Sequence, residues 1–116
     1  MALNTVIAVM TDLFFLIQVT GAAKPLGLQV VCVKDKATAL DKLNESPATL
    51  IVDLTCHQAD PIALIEAAKA AHPALNVIGF LPHVQTELRQ RALDAGADHV
   101  LPRSTFAQNL PKLLAR

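Results

Sequence analysis

The chain has 116 residues, of which 53% are hydrophobic and 17% charged, a balance that favours one packed core and excludes a disordered or solvating segment. Ten basic and ten acidic side chains cancel, and Trp and Tyr are absent, so neither a net field nor stacking platforms favour nucleic acid as a partner. Polar residues interrupt every apolar stretch before it reaches membrane-spanning length, which predicts a single cytoplasmic domain over residues 1–116, with no signal peptide, no membrane contact and reduced cysteines.

Short apolar runs alternate with helical patterns along the chain. The runs are rich in β-branched residues, which is typical of strands buried on both faces of a sheet. They predict strands over residues 6–10, 28–33, 49–53, 77–81 and 99–101. Apolar residues at helical spacing predict a helix after each strand.

Polar residues and prolines mark where these helices begin. Thr11 or Asp12 caps the first helix, whose apolar face is unusually wide and in which Phe14 and Phe15 are predicted to be core residues. The third helix begins where Asp60 precedes Pro61, with the aspartate side chain predicted to cap free amides. In the last helix, Pro111 predicts either a kink or a helix that starts near Asn109.

The alternation of five strands with five helices predicts an α/β fold. Short loops and right-handed crossovers give a parallel five-stranded sheet covered on both faces, a three-layer (βα)5 sandwich. The flavodoxin-like strand order 2-1-3-4-5 is the natural arrangement. In that order a crevice opens at the carboxyl ends of strands one and three, where ligands and reactive groups are expected.

Two acidic residues are brought to this crevice by the predicted topology. Asp12 follows strand one and Asp53 ends strand three, while Arg103, just after strand five, lies on the same edge. Two close carboxylates bind a hard cation such as Mg²⁺, share a proton or pair with a base. The other interpretation is that both acids only cap helices or loops.

This layout resembles the receiver domain of bacterial response regulators across essentially the whole chain. The resemblance is most specific in residues 50–54, LIVDL, and 95–101, AGADHVL. It implies a signalling module in place of an enzyme. It also implies that Asp53 is a candidate phospho-acceptor, that Arg103 stands at the position of the family's lysine, and that Asp12 and Asp53 are candidate Mg²⁺ ligands. The sequence indicates no other cofactor.

Other family positions are altered. The acidic pair of the family falls on Met10 and Thr11, or on Thr11 and Asp12 if the first helix is a residue shorter. The hydroxyl that ends strand four is replaced by Leu81 and the aromatic of strand five by Val100. These departures imply an atypical or pseudo-receiver. Its main role would be to bind a partner, and regulated phosphorylation would be secondary. Arg103 is predicted to pair permanently with Asp53, with phosphorylation of Asp53 remaining the alternative.

The resemblance also implies protein partners, namely a sensor kinase or an output protein. Receivers commonly use the face formed by helix four, strand five and helix five, here residues 86–93 and 100–112. Val100, Leu101 and Phe106 predict that this face is apolar enough for a homodimer or a partner protein.

The alternative function is a small flavodoxin-like domain that binds a nucleotide, flavin or metal in the crevice between strands one and three. The loop after strand one is not glycine-rich, which disfavours phosphate binding there. Cys56, His57 and His83 lie near the crevice, but adjacent Cys and His side chains rarely point at one atom, so we interpret them as solvated loop residues.

Overall fold

Five short apolar segments form one sheet in the computed structural model of the protein, which describes residues 4–82 and 85–115. The strands are β1, Thr5–Val9; β2, Gln29–Val33; β3, Thr49–Asp53; β4, Asn76–Leu81; and β5, His99–Pro102. Their order is β2-β1-β3-β4-β5, and every neighbouring pair is parallel. The predicted flavodoxin-like α/β sandwich is therefore confirmed.

Helices follow each strand. They are α1, Leu13–Ala23; α2, Lys36–Leu43; α3, Pro61–Ala71; α4, Thr86–Ala95; α5, Arg103–Gln108; and α6, Leu110–Leu114, with short 3-10 turns at Lys24–Leu26 and His57–Ala59. The predicted last helix is thus two helices separated at Asn109. Pro111 lies in the first turn of α6, where the amide that proline lacks has no helical partner to lose.

The core has two layers, one on each face of the sheet. One layer joins the strands to α2, α3 and α4, and the other joins them to α1, α5 and α6. Because β3 and β4 are buried along almost their whole length, polar groups reach solvent at the strand ends. Within the described ranges, none of the helices combines the length and apolar content that crossing a membrane requires.

Two predictions about helix starts and core residues are wrong in part. Asp60 does precede α3, but it adopts a left-handed conformation with φ 49°, and its side chain caps no amide. Phe15 is 4% exposed and belongs to the core, whereas Phe14 is 85% exposed. The apolar residues of α1 surround the helix, so a strip of them faces solvent after one side has packed on the sheet.

The segment 95–98 ties α3, β4 and β5 together at the amino end of the strands. Gly96 ends α4 with φ 119°, and a Cβ on it would lie 2.9 Å from Cγ of Lys69. Asp98 accepts a 2.8 Å hydrogen bond from the Val77 amide and pairs with Nζ of Lys69 at 3.1 Å. These contacts give the segment a structural role at the edge opposite Asp53.

Candidate functional site

Asp53 ends β3 at the carboxyl edge of the sheet. Val52 pairs with Val9, so Asp53 lies level with Met10, the residue that follows β1. The Thr55 amide and hydroxyl both donate to Oδ1 of Asp53, at 2.9 and 2.7 Å. In the part of the chain that the structure describes, Oδ2 receives no hydrogen bond from protein, and the residue is half-buried. Among the described residues, Asp53 therefore has one carboxylate oxygen without a hydrogen-bond partner.

Asp12 caps α1 and has partners on both oxygens. Its Oδ1 accepts a 3.1 Å hydrogen bond from the Phe15 amide, and its Oδ2 accepts one from Nη2 of Arg103. The two charged side chains are each about one-third exposed. Asp12 thus serves as a helix cap and as the partner of a cation at the same time.

Arg103 is the first residue of α5 and lies over the ring of Phe15, with its guanidinium carbon 4.6 Å from the ring centre. Phe15 in turn contacts Phe80 and Phe106, whose rings stack with centroids 5.1 Å apart. The predicted pairing of Arg103 with Asp53 is wrong. α1 and α5 lie on the same face of the sheet, which brings the guanidinium to Asp12 and holds it on an aromatic support.

The hydrogen bond from the Phe15 amide, followed by the interaction with Arg103, holds the pKa of Asp12 below its ordinary value of 3.8. A carboxyl whose pKa is lower in the folded than in the unfolded chain stabilises the fold fully above the unfolded value. That stabilisation disappears as the pH falls through the folded-state pKa. Acid is therefore expected to break the ion pair between Asp12 at the start of α1 and Arg103 at the start of α5.

Replacing Arg103 with glutamine is expected to raise the pKa of Asp12, because the variant loses both the hydrogen bond and the positive charge of the guanidinium, while the Phe15 amide still lowers the pKa. The side-chain carboxyl signal of Asp12, followed by NMR during an acid titration of both proteins, gives the two values. An Asp12 pKa that is the same in both proteins would show that the arginine does not contribute to the lowered value.

The arrangement around Asp53 does not fit a Mg²⁺ site built on two carboxylates. Mg²⁺ needs several oxygen ligands at short range, yet both oxygens of Asp12 are engaged and the side chain of Met10, level with Asp53, is buried and apolar. The guanidinium of Arg103 would also repel a cation at Asp12. Residues 4–82 and 85–115 contain no cluster of three or more His, Cys, Asp or Glu suited to a metal.

Leu81 and Val100, which stand where receiver domains have a hydroxyl and an aromatic residue, belong to the core. Leu81 and Val100 are 1% and 3% exposed. Leu81 packs with the α2, α3 and α4 layer, and so does Val100. Neither side chain has a donor for a phosphate oxygen, and neither has room to change position without opening a cavity.

Cys56 and His57 follow β3 closely, but their surroundings differ. Cys56 is buried, and its thiol donates to the Lys34 carbonyl at 3.8 Å, so it is not a solvated loop residue. Burial, with a contribution from the nearby Asp53 charge, raises the pKa of the thiol, which disfavours a thiolate nucleophile. His57 is exposed, as predicted, and His83 lies outside the described residues.

Phe15 and Thr55 also belong to the site, because Phe15 lies beneath Arg103 and Thr55 bonds to Asp53. The sequence gives only weak signals for these two roles. Thr55 stands two residues after Asp53, a spacing at which a hydroxyl commonly bonds back to an aspartate. Phe15 stands three residues after Asp12, where the family resemblance assigns no function. Its role as the support for Arg103 depends on the contact between α1 and α5.

Comparison with known proteins adds evidence at the level of the fold. No family model matches the sequence, and no curated protein matches it significantly. Solved structures match over nearly the whole chain. A CheY-like response regulator receiver domain protein from Methanospirillum hungatei JF-1 has a TM-score of 0.79 and 20% identity, over 97% of this chain and 94% of that one.

Two further structures agree. The receiver domain of NtrX from Brucella abortus has a TM-score of 0.79 and 22% identity, over 94% of this chain and 97% of that one. A response regulator from Burkholderia pseudomallei, described with a phosphorylated aspartic acid, a calcium ion and citrate, has a TM-score of 0.76 and 17% identity, over 97% of this chain and 71% of that one. The chain therefore has the fold of response regulator receiver domains, as the sequence predicted.

Proposed function

We propose that this chain is an atypical receiver domain that acts in intracellular signalling, in the cytoplasm, by binding a protein partner. In this proposal, the ion pair between Asp12 and Arg103 holds the crevice in one state. This ion pair is the main support for the proposal. It engages Asp12, the acid that would hold a metal ion, and Arg103, the base that would neutralise a phosphoryl group, and a phosphorylation switch would need both. The partner is a sensor kinase or an output protein.

Asp53 retains the chemistry of a phospho-acceptor. Its second oxygen, Oδ2, would attack the phosphorus of a phosphodonor, the bond from phosphorus to the donor would break, and the leaving group would keep the electron pair. Thr55 would hold Oδ1 during this step. The Burkholderia pseudomallei protein carries a phosphorylated aspartic acid on the same fold, which supports Asp53 as the residue to test.

The surroundings of Asp53 disfavour that reaction. Phosphoryl transfer depends on cations and donors that neutralise the charge growing on the phosphate oxygens. Arg103 is already neutralised by Asp12, and Leu81 supplies no hydroxyl. A domain with this site is better suited to constant binding than to regulated phosphorylation.

The surface for the partner is expected on α4, β5 and α5, but its character differs from the sequence prediction. Val100 and Phe106 are buried in the core and Leu101 is half-buried, so only Leu101 can add apolar surface to this face. α4 instead exposes charged side chains of both signs, including Glu87, Arg89 and Arg91. A partner at this face would therefore be recognised mainly by polar contacts.

Incubation with Mg²⁺ and a small phosphodonor, or with beryllofluoride, is expected to leave the wild-type chain unmodified and its amide spectrum unchanged. Arg103→Gln is expected to show Mg²⁺-dependent amide shifts near Asp12 and Asp53, because the guanidinium no longer engages Oδ2 of Asp12. Adding Asp53→Asn should abolish those shifts. Intact mass and two-dimensional amide spectra provide both measurements.

Arg91→Gln, which removes an exposed arginine from α4, is the matched control and should behave like the wild type. The proposal would be contradicted by stoichiometric modification of the wild-type chain that is lost in Asp53→Asn, since that result is the signature of a working switch. A nucleotide or flavin that co-purifies with the chain would favour the alternative function. Its phosphate would have to approach the amino end of α1, which the Asp12 carboxylate already occupies.

A further inference from the structure

A strip of apolar side chains on α1 faces solvent. Leu13, Phe14 and Ile17 are 65%, 85% and 68% exposed. Gly21, one turn beyond Ile17, is also exposed, and a Cβ on it would meet no atom within 4 Å. These four residues, named here the α1 stripe, lie along one side of the helix because residues three to four apart share a face.

The stripe is not the core-facing side of the helix. The buried residues of α1 that pack on the sheet are Phe15, Val19 and Ala23. They supply the apolar contacts through which α1 joins the core, and the stripe adds none. Folding alone gives no reason for Phe14 and Ile17 to be large and apolar, because a polar residue there would avoid exposing hydrocarbon to water. A set of exposed apolar residues along one helix face is typical of a contact surface.

We propose that the α1 stripe is the contact between two copies of this chain, which associate through their α1 helices about a twofold axis. The exposed fractions of the three large side chains amount to an apolar patch on the order of 400 Å². A twofold interface buries the same patch on both copies. With the neighbouring Gln18 and Thr20, the total comes to about 1,000 Å², near the lower limit for a specific interface.

The composition of α1 favours a second copy as the occupant. Residues 13–23 contain no Asp, Glu, Lys or Arg, so the self-contact brings no like charges together at the axis. The chain as a whole has no net charge, which removes long-range repulsion between copies. Gly21 allows the two helix backbones to approach closely, as small residues do in helix pairs.

Sedimentation equilibrium of the full chain is expected to show a reversible monomer–dimer equilibrium, because interfaces at the low end of the size range belong to weak complexes, and we expect a dissociation constant on the order of 10 μM. Phe14→Glu is expected to weaken the association at least about 100-fold, because each dimer loses two large apolar anchors and buries two charges that have no partner. Ile17→Glu should have an effect of the same direction. Both side chains are exposed, and circular dichroism verifies that each variant is folded.

Arg91→Glu, a charge reversal on the exposed side of α4, is the matched control and should leave the association unchanged. Asp53→Asn should also leave it unchanged, so the result is independent of phosphoryl chemistry at the site. The inference is overturned if the wild-type chain remains monomeric up to about 1 mM, a concentration well above the expected constant. It is equally overturned if Arg91→Glu weakens the dimer as much as Phe14→Glu, or if neither stripe variant weakens it.

Discussion

Replacing Phe106 with alanine is expected to lower the free energy of unfolding by about 3–5 kcal/mol, the usual cost of removing a buried phenyl ring. Phe106 is completely buried and stacks on Phe80, with the two ring planes 5° from parallel. The cost has two parts, the lost transfer of the ring from water and the cavity that the rigid sheet leaves open. Urea unfolding followed by circular dichroism measures it.

Phe14→Ala is the matched control, because it makes the same chemical change at a ring that is 85% exposed. At a protein concentration low enough to keep the chain monomeric, its effect should stay within about 0.5 kcal/mol. A cost for Phe14→Ala similar to that for Phe106→Ala would mean that α1 packs in the opposite orientation. Phe106→Ala also affects the candidate site, because Phe106 contacts Phe15, the ring that lies beneath Arg103.

Gly96→Ala is expected to cost about 2–3 kcal/mol of unfolding free energy, since it adds backbone strain to a crowded contact. The φ of 119° disfavours any residue with a Cβ, and that Cβ would lie 2.9 Å from Cγ and 3.1 Å from Cβ of Lys69. Lys69 has little freedom to move away, because its Nζ donates to the Leu75 carbonyl and pairs with Asp98.

Gly27→Ala separates the cost of the left-handed backbone from the cost of the contact with Lys69. Gly27 also has a positive φ, 73°, but a Cβ there would meet no atom within 4 Å, so only the cost of the left-handed backbone, about 1 kcal/mol, is expected. Denaturant midpoints at constant m-value compare the two variants. An equal cost at both glycines would show that Lys69 yields to the new methyl group without a penalty.

The α1 stripe and the ion pair are neighbours along the chain. Asp12, the cap of α1, directly precedes Leu13, the first residue of the stripe. A second copy bound along α1 would therefore lie beside the Asp12 and Arg103 pair. α1 and α5 lie on the same face of the sheet, but the α1 stripe and the exposed charges of α4 are different residues, so the two proposed contacts can be tested separately.

The sequence by itself determined the fold and the edge of the sheet at which Asp53 lies. The alternation of β-branched runs with helical patterns predicted the five strands, and the third matches the structure residue for residue at Thr49–Asp53. These signals are local in the chain, because buried parallel strands and amphipathic helices have periods that a short window reveals. Asp53 lies at the carboxyl edge because it ends its strand, and the predicted strand order puts it beside the end of strand one, since connection rules leave few arrangements for such a chain.

Only the tertiary structure decided which side chains meet. Arg103 bonds to Asp12 and not to Asp53, because the packing of α1 beside α5 sets where a long, flexible side chain finds its acid. Phe14 is exposed and Phe15 is buried, although both belong to a helix that is apolar on nearly every side and therefore has no periodic signal for its inner face. Contacts between elements distant in the chain depend on orientation in space, which neither periodicity nor residue spacing records.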